Sequence, residues 1–268
     1  MERSKYGKET TFLWKGYEPL SRIFLIPTAS HLQISNELEQ KISATWEENL
    51  KKNPHGFDAP KWRTEFVHRH ERGAALVYVS PTLYSQHNVM RHEKDQPIGF
   101  YPNPITINTV QETEDGYILA GLKGKTSDQK GILGLVGAGF IERKSPVPNP
   151  NLVGFTVQKE CLEETTYGSL RKDPFDMDDA RAMAIVFGSN HDSTISVYLP
   201  LSAGKKDVGV VQGEHDELIL LSSTSSAISD VLDEGGYKGI PAADHMLGSL
   251  EVYLANKRAK RITRRGFN

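Results

Sequence analysis

The residues best suited to chemistry are the carboxylates of Lys159-Glu160-Cys161-Leu162-Glu163-Glu164. On a helix, Glu160, Glu163 and Glu164 stand at i, i+3 and i+4 and share one face within about a turn. Like charges so placed repel, and the helix gains nothing from them on its own account. Hard divalent cations take oxygen ligands, so such a face is what Mg²⁺ or Mn²⁺ needs when a phosphate supplies further oxygens. A charged, solvated helix face is the bland alternative. The opposite side carries Val157, Cys161 and Leu162, with Phe155 beside them, an apolar stripe able to dock the helix on a core. Two caps are available, Asn149 followed by Pro150, or the nearer Thr156.

The elements that must position this helix follow from the pattern around it. Ile105 to Val110 and Tyr117 to Leu122 flank Glu114-Asp115-Gly116, a hairpin signature. Ile132 to Val136 is a third strand leading into Gly137-Ala138-Gly139, a glycine turn that lets backbone N–H groups approach a ligand. After the carboxylate helix, Ala182 to Phe187 and Thr194 to Leu201 read as strands around Ser189-Asn190-His191-Asp192, and Glu217 to Leu221 as another. Ser225 to Leu232 and Ala242 to about Arg258 read as helices. Upstream, Arg22 to Pro27 is a strand, and a helix capped by Ser35 or Asn36 carries Leu38, Ile42, Trp46 and Leu50 at steps of four. Two strands follow, joined at Glu71-Arg72-Gly73. Residues 79 to 104 are rich in turn formers and read as a surface wrap. The order predicts an α+β chain with a mixed sheet between helices, divided into an N-terminal extension (1–100) and a core domain (101–268).

Gly137-Ala138-Gly139-Phe140-Ile141-Glu142 followed by Lys159-Glu160-x-x-Glu163-Glu164 resembles the Nudix box, G-x5-E-x7-R-E-U-x-E-E-x-G-U, with U a bulky aliphatic residue. Lys159 stands for the Arg, Ser145 for the first Glu, and Thr166 for the late Gly, with Tyr167 at the final aliphatic position. The segment from Gly139 to Lys159 is six residues longer than the pattern. The resemblance implies a Nudix-type α/β/α sandwich, with Glu160, Glu163 and Glu164 as metal ligands and catalytic residues, and Gly137 and Gly139 beside the substrate. It implies a Mg²⁺- or Mn²⁺-dependent pyrophosphatase acting on nucleoside diphosphates linked to another moiety. The general base stays open among Glu163, Glu214, Asp216 and Glu217.

A second block, Ala44 to Arg63, A-T-W-E-x-x-L-K-x-x-P-x-x-F-D-A-P-K-W-R, is similar to the N-terminal part of the atypical Nudix UDP-sugar diphosphatases of animals. That resemblance implies a UDP-sugar as substrate, cleaved to UMP and a sugar 1-phosphate. Asp58, Lys61 and Arg63 become candidate substrate-binding residues, since a planar guanidinium suits bidentate phosphate contact. The plain alternative is a rigid turn with Asp58 and Arg63 paired. Hydrolysis of ADP-ribose or another nucleotide is the rival activity, and a non-catalytic nucleotide-binding scaffold is the rival class.

Composition excludes little but points one way. The 268 residues are 38% hydrophobic and 25% charged, with a net charge of −2, ordinary for a globular chain and no magnet for nucleic acid or membranes. The basic tail, Lys257 to Arg265, is explained by cations at a helix C-terminus. The lone Cys161 excludes an internal disulfide and fits a reducing compartment. No apolar run reaches the roughly 18 residues of a membrane span, and the start lacks a signal-peptide core. A cytoplasmic enzyme with a small-molecule nucleotide substrate is the expectation. His68, His70, His87 and His92 are expected to be surface or hydrogen-bonded groups rather than zinc ligands.

Overall fold

The computed structural model describes residues 2–6, 10–52, 58–91, 101–124, 129–167, 174–188, 191–211, 214–259 and 262. The Asn53 to Phe57 part of the second resemblance, His92, and most of the basic tail lie outside them.

The chain is α+β. Its main sheet has nine strands among the described residues, seven in the order Glu2–Arg3, Thr11–Pro19, Arg181–Phe187, Ser193–Pro200, Ile105–Glu112, Tyr117–Lys123 and His215–Ser222, and two short ones, Leu133–Leu135 and Ala138–Phe140, off this path. Ser193–Pro200 and Ile105–Glu112 run parallel, and the other neighbours on this path are antiparallel, so the sheet is mixed as expected. Thr11–Pro19, which precedes residue 100, forms hydrogen bonds with Arg181–Phe187 inside this sheet.

The period-2 alternation of the strands sorts side chains to two faces. Ile105, Ile107, Leu119, Ile195 and Val197 pack with Val153, Val157 and Cys161 of helix α3 (Leu152–Glu164). Val110, Ile118, Ala120 and Val186 pack with Ile228 and Val231 of α4 (Ser225–Glu234) and Met246 and Leu250 of α5 (Asp244–Arg258). The result is a helix–sheet–helix sandwich.

A second, three-stranded sheet joins Ile23–Pro27, Ala75–Leu83 and Pro60–Arg69. It is sewn to the core by backbone hydrogen bonds from Arg143 N–H to Pro60 O (2.9 Å) and from Thr64 N–H to Asn103 O (2.9 Å). Helix α1 (Asn36–Lys52) starts where Ser35 Oγ accepts from Leu38 N–H, the expected cap. Of its expected apolar stripe only Ile42 is buried, because the helix rests on a small cluster of Val89, Met90 and Tyr101 rather than on a broad core.

The expected surface wrap, 79 to 104, is corrected over its described residues, and 92–100 lie outside them. The strand continues to Leu83 and helix α2 (Tyr84–Met90) follows, with Ser85, His87, Val89 and Met90 buried. Asp58 fixes the start of α2, accepting from Ser85 N–H (2.8 Å) and Ser85 Oγ (2.7 Å). Gln86 takes the Leu83 N–H (2.9 Å).

Candidate functional site

The site is built on a hairpin that opens. Ile105–Glu112 and Tyr117–Lys123 pair only at Glu112 and Ile118 beside the turn. Beyond that point Leu133–Leu135 and Ala138–Phe140 fill the gap, one strand on each arm. Gly137 turns the chain between them with φ +78°, a left-handed conformation that favours glycine. The expected glycine loop is thus one turn residue followed by a strand. Gly137 N–H is taken up within the fold. It donates to Glu164 Oε2 at 2.7 Å and so holds the helix end.

Helix α3 packs across this turn. Its start differs from both expected caps. Asn149 Oδ1 accepts from Asn151 N–H at 2.8 Å ahead of the helix, and Thr156 lies inside it, donating to Leu152 O. Val157 and Cys161 are buried as expected, but Phe155 and Leu162 are exposed, so the docked stripe is narrower than the sequence suggests. Burial pushes the Cys161 thiol up, which leaves it an inert part of the core.

The three helix carboxylates have three different environments. Glu164 is buried, 6% exposed, and its Oε2 also meets His215 Nε2 at 3.1 Å. Its Oε1 is buried without a hydrogen bond among the described residues. Glu160, 12% exposed, accepts from Lys159 Nζ at 3.1 Å. Burial pushes its carboxyl up to about 7 against the pull of Lys159, and Glu164 and Glu163 add to the rise. Glu163 is 59% exposed and held by Lys159 Nζ at 3.3 Å. Among the described residues no three His, Cys, Asp or Glu side chains form a ready metal cage.

Glu214 is exposed over much of its surface, yet its carboxyl is crowded against the buried Glu164. Burial first and Glu164 second raise its pKa. An orphaned carboxylate oxygen and two neighbouring carboxyls with raised pKa values are the donor set a hard cation fits. Mg²⁺ commonly takes only one or two carboxylates and completes its shell with water and phosphate. Glu160 and Glu164, with Glu214 beside them, match that habit.

Glu160 and Glu214 open on a cleft of about 690 Å³, with Glu164 buried behind them. Four cations line it, Lys61, Arg91, Lys123 and Lys159, together with the acids Glu142, Glu160, Asp192 and Glu214. Lys61 comes from the three-stranded sheet, with Nζ 3.9 Å from Glu142 and 5.3 Å from the centre of the Phe140 ring. Burial lowers its pKa, and Glu142 opposes that. Burial raises Asp192 to about 6 and lowers His245 to about 3, so His245 is neutral there. Tyr84 stands edge-on to Phe140, and Trp46 edge-on to Tyr84, so the aromatic of the 44–63 block buttresses the cleft wall through α2.

The other expected substrate contacts go elsewhere. Arg63 is buried outside the cleft and pairs with Glu65 at 3.3 Å, not with Asp58. Asp58 serves the start of α2. Asp216 and Glu217 are exposed and do not line the cleft. Sequence reading missed Tyr84, His87, Arg91, Lys123, Asp192 and His245 as cleft residues. The available signal was that Lys123 ends one apolar strand and Asp192 directly precedes another.

Gly139 has a specific task. A Cβ there would lie 2.3 Å from the Glu160 carboxyl carbon. Gly139→Ala is therefore expected to displace Glu160 and cut turnover at least about tenfold, with little change in unfolding midpoint. Wild-type turnover in Gly139→Ala would show that the Glu160 position is not critical.

The sequence matches no protein-family model and no curated protein. Among solved structures, the chain is similar to the Nudix domain of NrtR from Shewanella oneidensis, crystallised with ADP ribose. Identity there is 15%, with 62% of this chain and 95% of that chain covered and a TM-score of 0.36. It is also similar to the MutT protein from Methanosarcina mazei, at 14% identity, 60% and 96% coverage and a TM-score of 0.34. Among the described residues no helix is long and apolar enough to cross a membrane.

Proposed function

We propose that the chain is a Nudix-type hydrolase that cleaves the diphosphate of a nucleoside diphosphate linked to another moiety, with a UDP-sugar as favoured substrate. The observation that carries this reading is the placement of Glu160, beside the buried Glu164, on a cleft lined by Lys61, Arg91, Lys123 and Lys159. Carboxylates alone suit a cation. Carboxylates facing several cations suit a cation together with a polyanion, and a diphosphate is the simplest such partner.

Glu160 and Glu164 would hold Mg²⁺ or Mn²⁺, with Glu214 as a further ligand or as the proton acceptor. The ion, when bound, neutralises phosphate charge and lowers the pKa of a coordinated water. His215 and Gly137 N–H hold Glu164 through its Oε2, which leaves Oε1 as the oxygen a cation would take. Lys159 spreads its charge over Glu160, Glu163 and Glu142, at 3.1, 3.3 and 3.8 Å, and limits their repulsion. Lys61, carried by the three-stranded sheet, binds phosphate beside Lys159. Glu214 takes the proton of the attacking water, its raised pKa placing it nearer to neutral pH than a free carboxylate. The UDP-sugar preference rests on the similarity of residues 44–63 to the UDP-sugar diphosphatases.

Incubation with UDP-glucose, UDP-galactose, ADP-ribose and dinucleoside polyphosphates, with Mg²⁺ and then with EDTA, tests the proposal. UMP and sugar 1-phosphate should form with Mg²⁺ alone. UDP-glucose should be preferred over ADP-glucose at least about tenfold in kcat/KM, the preference that the resemblance of residues 44–63 implies. Binding of nucleotide without turnover on any substrate would favour the scaffold.

Lys61→Met keeps the buried stem and removes the charge. It should raise KM about 5- to 20-fold and leave kcat within about threefold, the signature of a group that binds ground and transition states alike. An unchanged KM would remove Lys61 from the phosphate site.

A further inference from the structure

The segment by which this chain exceeds the Nudix pattern, between Gly139 and Lys159, builds a second hollow of about 320 Å³. It adjoins the cleft, and Phe140, Glu142, Lys159 and Glu160 line both. The carboxylate end of α3 therefore stands between two spaces, as suits a diphosphate with a different moiety on each side.

The two spaces differ in what they offer. In the small hollow the polar groups are occupied locally. Ser145 Oγ donates to Val147 O, and Thr156 Oγ1 donates to Leu152 O at 2.8 Å. Asn149 Oδ1 accepts from Asn151 N–H at 2.8 Å, and Lys144 lies 3.6 Å from Glu142. The hollow's apolar lining is Leu152, Phe155 and Phe140 with the buried Trp62, and the charged Glu142, Lys159 and Glu160 are those it shares with the cleft. Phe155 is 55% exposed, with no ring stacked on it among the described residues. The cleft, in contrast, presents the Asp192 carboxyl beside a Thr106–Thr194 hydroxyl pair (2.7 Å), groups suited to a hydroxylated moiety.

We infer that the small hollow is the base subsite, in which the nucleobase lies against Phe155 while its phosphates reach Lys159 and the Glu160–Glu164 site. Rings of every base have a face to stack, and an aromatic side chain rewards that stacking, whereas a sugar would find its hydroxyls without partners here. The inference rests on the nucleotide reading above and assigns a place to one half of the substrate.

Calorimetric titration of the full chain with UMP, AMP and ribose 5-phosphate tests it. Phe155 is exposed, so Phe155→Ala should keep the wild-type unfolding midpoint. It should weaken UMP or AMP about tenfold or more, leave ribose 5-phosphate within about twofold, and be rescued by Phe155→Tyr. Photolabelling with 5-azido-UMP should mark the 140–156 segment. A label on 84–91 or 192–199, or base-containing ligands bound equally by Phe155→Ala and wild type, would overturn the inference and leave the proposed hydrolase standing. A wild-type protein that binds no nucleotide would overturn both.

Discussion

Glu160→Gln is expected to lower kcat by at least about a hundredfold with Mg²⁺ present, the usual cost of losing a charge that stabilises the transition state. Glu164→Gln should do the same. Glu163→Gln should change kcat by no more than about fivefold. The contrast comes from placement rather than residue type. Glu163 is exposed and tied to Lys159, whereas Glu160 is packed against Gly139 and Glu164 is pinned by Gly137 N–H and His215. Gln is isosteric with Glu, so circular dichroism and the unfolding midpoint should change little for Glu160→Gln. The measurement is single-turnover hydrolysis of UDP-glucose over a range of Mg²⁺. Equal losses in all three variants would restore Glu163 to the metal set, and full activity in Glu160→Gln and Glu164→Gln would remove the site from α3.

Arg63→Ala should lower stability by about 2–4 kcal/mol and leave catalysis alone. Removing one partner of a buried ion pair leaves the other uncompensated, which costs about 3–5 kcal/mol when burial is complete. Glu65 keeps some contact with water and still accepts from Ser80 Oγ, which moderates the loss. Urea unfolding should show the midpoint falling at unchanged m-value. Below the transition, KM for UDP-glucose should stay within about twofold of wild type. A raised KM at full stability would instead place Arg63 against substrate, as its guanidinium first suggests.

Lys61 and Arg63 show why sequence could not separate these fates. They stand two apart on the strand Pro60–Arg69 and have like charge, so composition treats them alike. What divides them is the edge each meets. Lys61 pairs its backbone with Glu142 and reaches the cleft, while Arg63 bridges to Pro104 and reaches Glu65.

Much of the scaffold was set by local rules. The hairpin at Glu114-Asp115-Gly116, the strands Arg181–Phe187 and Ser193–Pro200, and helices α1, α3, α4 and α5 each carry a period of 2 or 3.6 with turn residues at their ends. Those signals act over a few residues, and neighbours in sequence suffice to produce them. The carboxylate spacing on α3 was legible for the same reason. Helix α2 was not legible, because its start depends on Asp58, 27 residues upstream, accepting from Ser85. The partners of Glu164 were equally hidden. Gly137 lies 27 residues before it and His215 51 after, brought together only when the strands pair. The sequence thus determined which carboxylates share a helix. Which of them is buried, which is turned to Lys159, and which cations face them was decided by packing, since burial and charge pairing are properties of the assembled surfaces and not of spacing along the chain.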